Sequence, residues 1–305
     1  MSSLSSLVSH PAIVDLDGSV CSQGAPSARN LIVTVFGDIV LPVGDEAEIT
    51  VQQLVELLAG FGTNERLVRT SLSRVAGDGL LASRSHGRRS FYRVAPDALG
   101  TFRTADRRIY RGLVDGWDGA WTIVVLDGNE ATAEHRARLR QELAWAGLGT
   151  VAPNVMASPV VTADGVAEIV DGVGGFDNVL VSRSQIVDGH GLLGQGELAR
   201  RAADLADVEL RYAAFADRFE RLDDELLGGL DDGRALKLRL LLVATFRRIA
   251  LADPQLPGEL LPDSWVGHRA RDVARRVYAG VAGPSDRRVA EVLGRDVVTD
   301  PHRFG

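Results

Sequence analysis

The sequence predicts a multidomain protein of the α+β class, and three observations predict it. A helix, helix, tight turn, helix and hairpin pattern fills the first third. Strands then alternate with helices, and long helical periodicities complete the chain. At 305 residues the chain exceeds one ordinary domain, and 45% hydrophobic with 25% charged residues is the composition of a globular protein with a core. The predicted segments are a disordered Ser-, Gly- and Pro-containing leader over 1–26, then 27–111, 112–190 and 191–305.

Helical periodicity begins at Ser27. Leu31, Ile32, Val35, Phe36, Ile39 and Val40 recur on one face until Pro42 stops the run. Thr50 with Gln53 forms a capping box, and Ile49 with Leu54 a hydrophobic staple, so a second helix starts there and ends at Gly60. The turn Gly60-Phe61-Gly62 leads to a new N-cap at Thr63 or Asn64 and a third helix to about Ala76. Two strand-like runs follow, Leu80 to Arg84 and Ser90 to Val94, with a turn at Ser85-His86-Gly87. This order predicts a winged helix-turn-helix. A connecting helix from Pro96 to about Arg111 is anchored by Phe102, Ile109 and Tyr110.

Further on, Trp121–Leu126 predicts an apolar strand, Ala131–Trp145 a helix, Thr150–Ala157 a second strand, Val166–Gly172 a short helix and Asn178–Val181 a further strand. Gly172-Val173-Gly174-Gly175 lacks the context of a phosphate-binding loop and is predicted to be a plain loop. The alternation suggests a small ferredoxin-like domain. After His190 the pattern is helical: Leu198–Leu227, Ala235–Leu251, a Pro-containing loop over Asp253–Trp265, and a last pair of helices ending near Leu293.

The net charge of −7 appears at first to argue against nucleic acid, but its distribution does not. Asn64 to Arg93 holds seven arginines and two acids, an excess of five positive charges in thirty residues. On the third helix Val68, Leu72 and Val75 share one face, while Arg66, Arg69, Thr70 and Ser73 occupy an opposing arc; these four and Arg74 are the candidate groove and phosphate contacts. A solvated surface helix shows the same polarity. The capped helix before it, the short turn and the basic hairpin after it turn the balance toward DNA. Arginine suits such contacts because its planar fork pairs with both acceptors of a guanine. Arg84, His86, Arg88 and Arg89 would set the hairpin against phosphates or the minor groove. The predicted partner is double-stranded operator DNA.

Several motifs carry a family resemblance. They are Ser27–Ile32 (SARNLI), Phe61–Ser71 (FGTNERLVRTS), Gly87–Arg93 (GRRSFYR), Trp117–Thr122 (WDGAWT) and Gly149–Asn154 (GTVAPN). Asp253–Pro257 (DPQLP), Leu260-Leu261-Pro262 and Trp265 with Gly267 complete the set. Together, over roughly Ser27 to Gly280, they resemble the PaaX-like repressors of phenylacetic acid degradation. The resemblance implies a winged helix-turn-helix, a central ferredoxin-like domain related in fold to small CRISPR-associated nucleases, and a helical C-terminal domain. It also implies homodimers on palindromic operators, released by an aryl-CoA thioester, typically phenylacetyl-CoA. One departure stands out: such proteins tend to carry a His before Phe246-Arg247-Arg248, where this chain has Ala244-Thr245. The resemblance therefore points to an acyl-CoA effector as a class rather than to phenylacetyl-CoA alone. Arg239, Arg247, Arg248, Trp265, His268 and Tyr278 are the candidates to hold it, cations for the phosphates and an apolar cleft for the acyl group. The competing role for the arginines is a solvated helix face, and for Trp265 core packing.

No catalytic centre, cofactor or metal site is expected. Six histidines (10, 86, 135, 190, 268, 302) show no zinc-ligand spacing, Cys21 is the single cysteine, and no nucleophile elbow is present. The alternative function is a metal-dependent nuclease using Asp127 at a strand end, where Asp127-Gly128 also reads as turn chemistry. A constitutive architectural DNA-binding protein is a third possibility. With neither a secretory signal nor an apolar run of about 20 residues, the expected location is the cytoplasm, without a membrane partner.

Overall fold

The computed structural model describes residues 26–87, 89–111, 116–126, 133–174, 179–203 and 205–304. The expected disorder of the leader, and the roles of Arg88 and Asp127, fall on residues outside that set. The protein is a mixed helix and sheet structure whose residues divide into two compact units.

The first unit combines the described residues up to 111 with Arg211–Leu251 and 266–304. Helix α1 (Ala28–Val35) is capped by Ser27, whose side chain accepts from the Asn30 N–H. It runs into a π-turn (Phe36–Val40), closed by the Leu41 N–H on the Phe36 carbonyl, and then a 3-10 turn (Leu41–Val43) containing Pro42. Strand β1 (Ile49–Thr50) leads into α2 (Val51–Leu57), where Thr50 and Gln53 form both halves of the capping box. Helix α3 (Glu65–Gly77) starts at Asn64, whose side chain accepts from Leu67 N at 2.8 Å. Gly62, at φ 65°, makes the preceding turn in a conformation that favours glycine.

Strands β2 (Leu81–His86) and β3 (Arg89–Val94) pair antiparallel from Leu81↔Val94 to His86↔Arg89, and β1 extends the sheet on the far side of β3. The hairpin is longer than the sequence predicted. His86 belongs to a strand, and the left-handed Gly87 (φ 60°) starts the turn. Helix α4 (Leu99–Tyr110) buries Phe102, Ile109 and Tyr110.

The later helices of this unit are α9 (Asp224–Gly228), α10 (Asp232–Ala250) and α11 (Val266–Leu293). In place of a last pair of helices there is one helix of 28 residues. Pro284 lies inside it without ending it, because Val281, Ala282, Ser285 and Val289 are buried on both sides of the proline and hold the course. Residues far apart in sequence share one core. Leu31, Phe36, Leu54, Leu72 and Val94 join Leu236, Leu240 and Ala244 of α10 and Val289 and Val292 of α11.

The second unit covers the described residues of 113–210 together with Ala252–Trp265. Its elements are β4 (Ala120–Leu126), α5 (Ala133–Ala146), β5 (Gly149–Ala152), β6 (Val155–Ser158), α6 (Ala163–Val173), β7 (Val179–Gln185) and α7 (Gln195–Ala202). The antiparallel sheet has the order β5-β6-β4-β7. The single strand expected over Thr150–Ala157 is two, because Pro153 and Asn154 turn the chain and Asn154 takes φ 64°. Helix α6 also extends through Gly172 and Val173, part of the expected loop, before Gly174 ends it. Strand β4 alternates: Val124 and Leu126 pack with Leu139, Leu143 and Val166, while Trp121 and Ile123 pack with Leu198 and Ala199 of α7.

The run Leu198–Leu227 is not continuous. It forms α7, then α8 (Leu205–Phe219), then α9, whose start is set by Asp223 accepting from Leu226 N at 2.9 Å.

Candidate nucleic-acid interface

Helix α3 owes its orientation to Val68, Leu72 and Val75, each no more than 1% exposed. That anchoring leaves Arg66, Arg69, Thr70, Ser73 and Arg74 all exposed on the outer face. Thr70 donates its hydroxyl back to the Arg66 carbonyl at 2.9 Å. Arg69 lies along the helix against Glu65, with Nη2 to Oε1 at 2.6 Å. Arg66 and Arg74 form no ion pair among the described residues. A pair as exposed as Arg69 with Glu65 is weak and salt-sensitive, so phosphate or base oxygens can replace the carboxylate.

The hairpin presents a second cationic edge. Arg84 donates from Nε to Glu48 Oε2 at 2.7 Å, makes a second bond to the other carboxylate oxygen, and stacks 4.8 Å from the Phe91 ring centroid. The Glu48 hydrogen bond raises its pKa. Arg93 pairs with Glu46. These arginines are thus held in place by the segment before β1, a role for Glu46 and Glu48 that the sequence analysis did not assign. His86 and Arg89 are exposed nearer the turn.

The six effector candidates do not form one cluster. Arg239 and Tyr278 lie in a buried polar network around Asp38, which sits in the π-turn. Asp38 Oδ2 accepts from Arg239 Nε at 2.7 Å. Its Oδ1 accepts from Tyr110 at 2.6 Å, Tyr278 at 2.9 Å and Arg303 at 3.1 Å. Arg239 also donates to Asp286 at 2.8 Å, Ser285 at 3.2 Å and the Asp38 carbonyl at 3.1 Å. Arg303 pairs with Asp106 and lies 4.0 Å from the Tyr110 ring centroid. Phe304, fully buried, packs edge-on to Tyr110, Phe246 and Tyr278. Burial pushes the Asp38 carboxyl up, but the Arg239 and Arg303 charges, with hydrogen bonds from Arg239 and Tyr110, outweigh it and hold the group below its ordinary value. Burial and the Asp38 charge push Tyr110 well above a normal phenol.

Of the remaining candidates, Arg247 is half-buried, while Arg248 and His268 are exposed. Trp265 is 4% exposed and belongs to the second unit, where it lines a cavity of about 960 Å³ with Trp117, Arg200, Arg201 and Leu261. Among the described residues no group of three His, Cys, Asp or Glu side chains could hold a metal ion. No helix among them is long and apolar enough to cross a membrane.

Three family models match the chain: "PaaX-like protein" over residues 27–98, "PaaX protein central Cas2-like domain" over 114–192 and "PaaX-like protein C-terminal domain" over 203–291. The transcriptional repressor PaaX of Escherichia coli (strain K12) is 35% identical over 262 residues, 84% of this chain and 81% of that protein. A solved structure, the uncharacterized protein Rv0674 from Mycobacterium tuberculosis, is similar in fold at a TM-score of 0.56. It has 22% identity and covers 88% of this chain and 100% of its own.

Proposed function

This chain belongs to the PaaX-like family, and on that premise we propose that it is a non-enzymatic transcriptional repressor that binds operator DNA in the cytoplasm and controls a phenylacetate-type catabolic pathway. In this reading α1–α3 with the β2–β3 hairpin form a winged helix-turn-helix over 27–111, α4 being its connecting helix. Strands β4–β7 with α5 and α6 form a ferredoxin-like domain over 112–190, and the helices of 191–305 serve effector binding and dimerisation. The working species is a homodimer on a palindromic operator, and an acyl-CoA thioester such as phenylacetyl-CoA weakens its grip.

One observation carries the proposal. Helix α3 exposes Arg66, Arg69, Thr70, Ser73 and Arg74 on the side opposite its buried Val68, Leu72 and Val75. A helix presented in this way after a capped helix and a tight turn fits the major groove, with the hairpin cations on the backbone. Arg247, Arg248, His268 and Trp265 remain the effector candidates. For Arg239 and Tyr278, enclosed by protein partners, the geometry supports a structural role.

The test is a gel-shift titration on the operator. Arg69→Ala is expected to cost about 1–3 kcal/mol if it reads a base, and Arg74→Ala to weaken binding and reduce the salt slope if it holds a phosphate. Effector linkage should lower operator affinity by about 5–150-fold. Unchanged affinity in both variants would remove α3 from the DNA surface.

A further inference from the structure

Where the turn before α3 meets α9, α10 and α11, a groove of about 440 Å³ opens on the first unit. We propose that it holds the chain's own leader, with Ala12, Val14 and Leu16 on its floor and Asp15 and Asp17 at its rim.

The groove is apolar below and cationic above. Leu57, Leu226, Leu238 and Leu241, all buried, form the floor, and the half-buried Arg234, Lys237 and Arg288 stand at the rim. Two acids share the lining, and both are engaged. Glu56 accepts from the Gln52 side chain at 3.0 Å, and Asp231 caps α10 by accepting from Arg234 N at 2.8 Å. The Arg234 side chain meets Asp231 only at 3.5 Å, and Arg288 pairs with Glu291 on its own helix. Such solvent-facing pairs are weak, so a better-placed carboxylate displaces them at little cost. The occupant this chemistry fits is an extended segment in which apolar and acidic side chains alternate.

Residues 1–25, outside the described set, contain such a segment at Ala12-Ile13-Val14-Asp15-Leu16-Asp17. In an extended backbone Ala12, Val14 and Leu16 point to one side, and Ile13, Asp15 and Asp17 to the other. On that second side Ile13 meets the aliphatic stem of a rim cation while the two carboxylates meet the charges. Residues 1–25 hold no Lys or Arg, so nothing in the leader repels the rim.

The leash is long enough. Asn30, in the first turn of α1, donates to the Ala244 carbonyl of α10 at 3.3 Å and accepts from Arg247. Lys237 precedes Ala244 on the same helix by about 10 Å along the axis. The residues from Gly18 to Pro26 span about 30 Å when extended. Tethering also removes the need for tight binding. At the effective concentration of about 1 mM that a short linker gives, a segment with a Kd of ~0.1 mM as free peptide fills the groove about 90% of the time. A docked leader covers the seam between the turn and α10, where a Cβ on Gly60 would stand 3.3 Å from the Lys237 Cβ. Docking is independent of whether α3 contacts DNA.

Lys237 is the one lysine of the chain, which makes a cross-linking test specific. The full chain is treated with a water-soluble carbodiimide, which joins a carboxylate to an amine in direct contact with net loss of water, and the products are mapped by peptide mass spectrometry. The expected product is an amide between Lys237 and Asp15 or Asp17 within one chain. Val14→Ser with Leu16→Ser keeps both carboxylates and removes the floor contacts, so the yield of that product should fall about fivefold or more. Mixing isotope-labelled with unlabelled protein identifies links between chains. Absence of any leader link to Lys237, or a yield that the double variant leaves unchanged, would overturn the proposal. So would leader links found only between chains, which would place a second copy's leader in the groove.

Discussion

At the scale of single residues, Asp38 governs the first unit. It is 2% exposed and accepts from two arginines and two tyrosines. Replacing one member of such a buried set leaves its partners charged and dry. Asp38→Asn is therefore expected to destabilise the unit by roughly 3–5 kcal/mol, read as a fall in Tm. The folded carboxyl titrates below the 3.8 of the free side chain, so its contribution is complete above about pH 4 and is lost as pH falls through the lowered value. The Tm gap between the parent and Asp38→Asn should thus be widest near neutrality and close in acid. A gap that stays constant down to pH 2 would contradict this account. A trace of the site was present in the sequence: Asp38 stands between Phe36 and Ile39 in the apolar run that opens at Leu31, so its carboxylate falls among residues that must be buried. Its partners were not legible, because Tyr110, Arg239, Tyr278 and Arg303 lie 72 to 265 positions away and no local rule joins them.

At the scale of elements, what was legible was what local chemistry writes. The Thr50–Gln53 capping box and the two faces of α3 appear where their residues predict them, and of the two candidate caps Thr63 and Asn64 it is Asn64 that starts α3. Where a turn competes with a strand-like run, the pattern misleads, as at Pro153-Asn154 between β5 and β6. The outer surface of α3 was readable, but not the ion pairs that tether its neighbours, since Glu48 meets Arg84 across 36 residues. The Arg69–Glu65 pair yields a test of whether the helix faces DNA. Glu65→Gln frees Arg69 and removes a negative charge from the helix, so operator affinity should rise about two- to threefold at low salt. Fluorescence anisotropy across a salt series would measure it, and a decrease would place Arg69 away from the nucleic acid. In the second unit Gly149 is equally informative. A Cβ there would overlap the carbonyl oxygen of Ala202 at the end of α7. Gly149→Ala should therefore destabilise the β5–α7 packing by about 1–3 kcal/mol, detectable as faster amide exchange in β5 and α7.

At the scale of the molecule, the first unit is discontinuous in sequence, and nothing local foretold it. Periodicity marks which faces are apolar but not which distant face covers them. The core of α1–α3 is completed by Leu236, Leu240 and Ala244 of α10 and Val289 and Val292 of α11. A fragment ending at residue 111 lacks all five, together with Arg239, Tyr278 and Arg303 around Asp38. It is expected not to fold cooperatively by circular dichroism; a sharp melting transition in that fragment would show that the shared core is dispensable. The same arrangement sets a clock on synthesis. Asp38 leaves the ribosome long before Arg303, and at about 5–20 residues per second the wait is roughly 10–50 s. Throughout that interval the π-turn after α1 carries an ionised aspartate that it must bury, so the module bearing α3 matures only once α11 and Arg303 have arrived. If α3 meets DNA as proposed, a nascent chain would then stay silent toward it until Arg303 has been made.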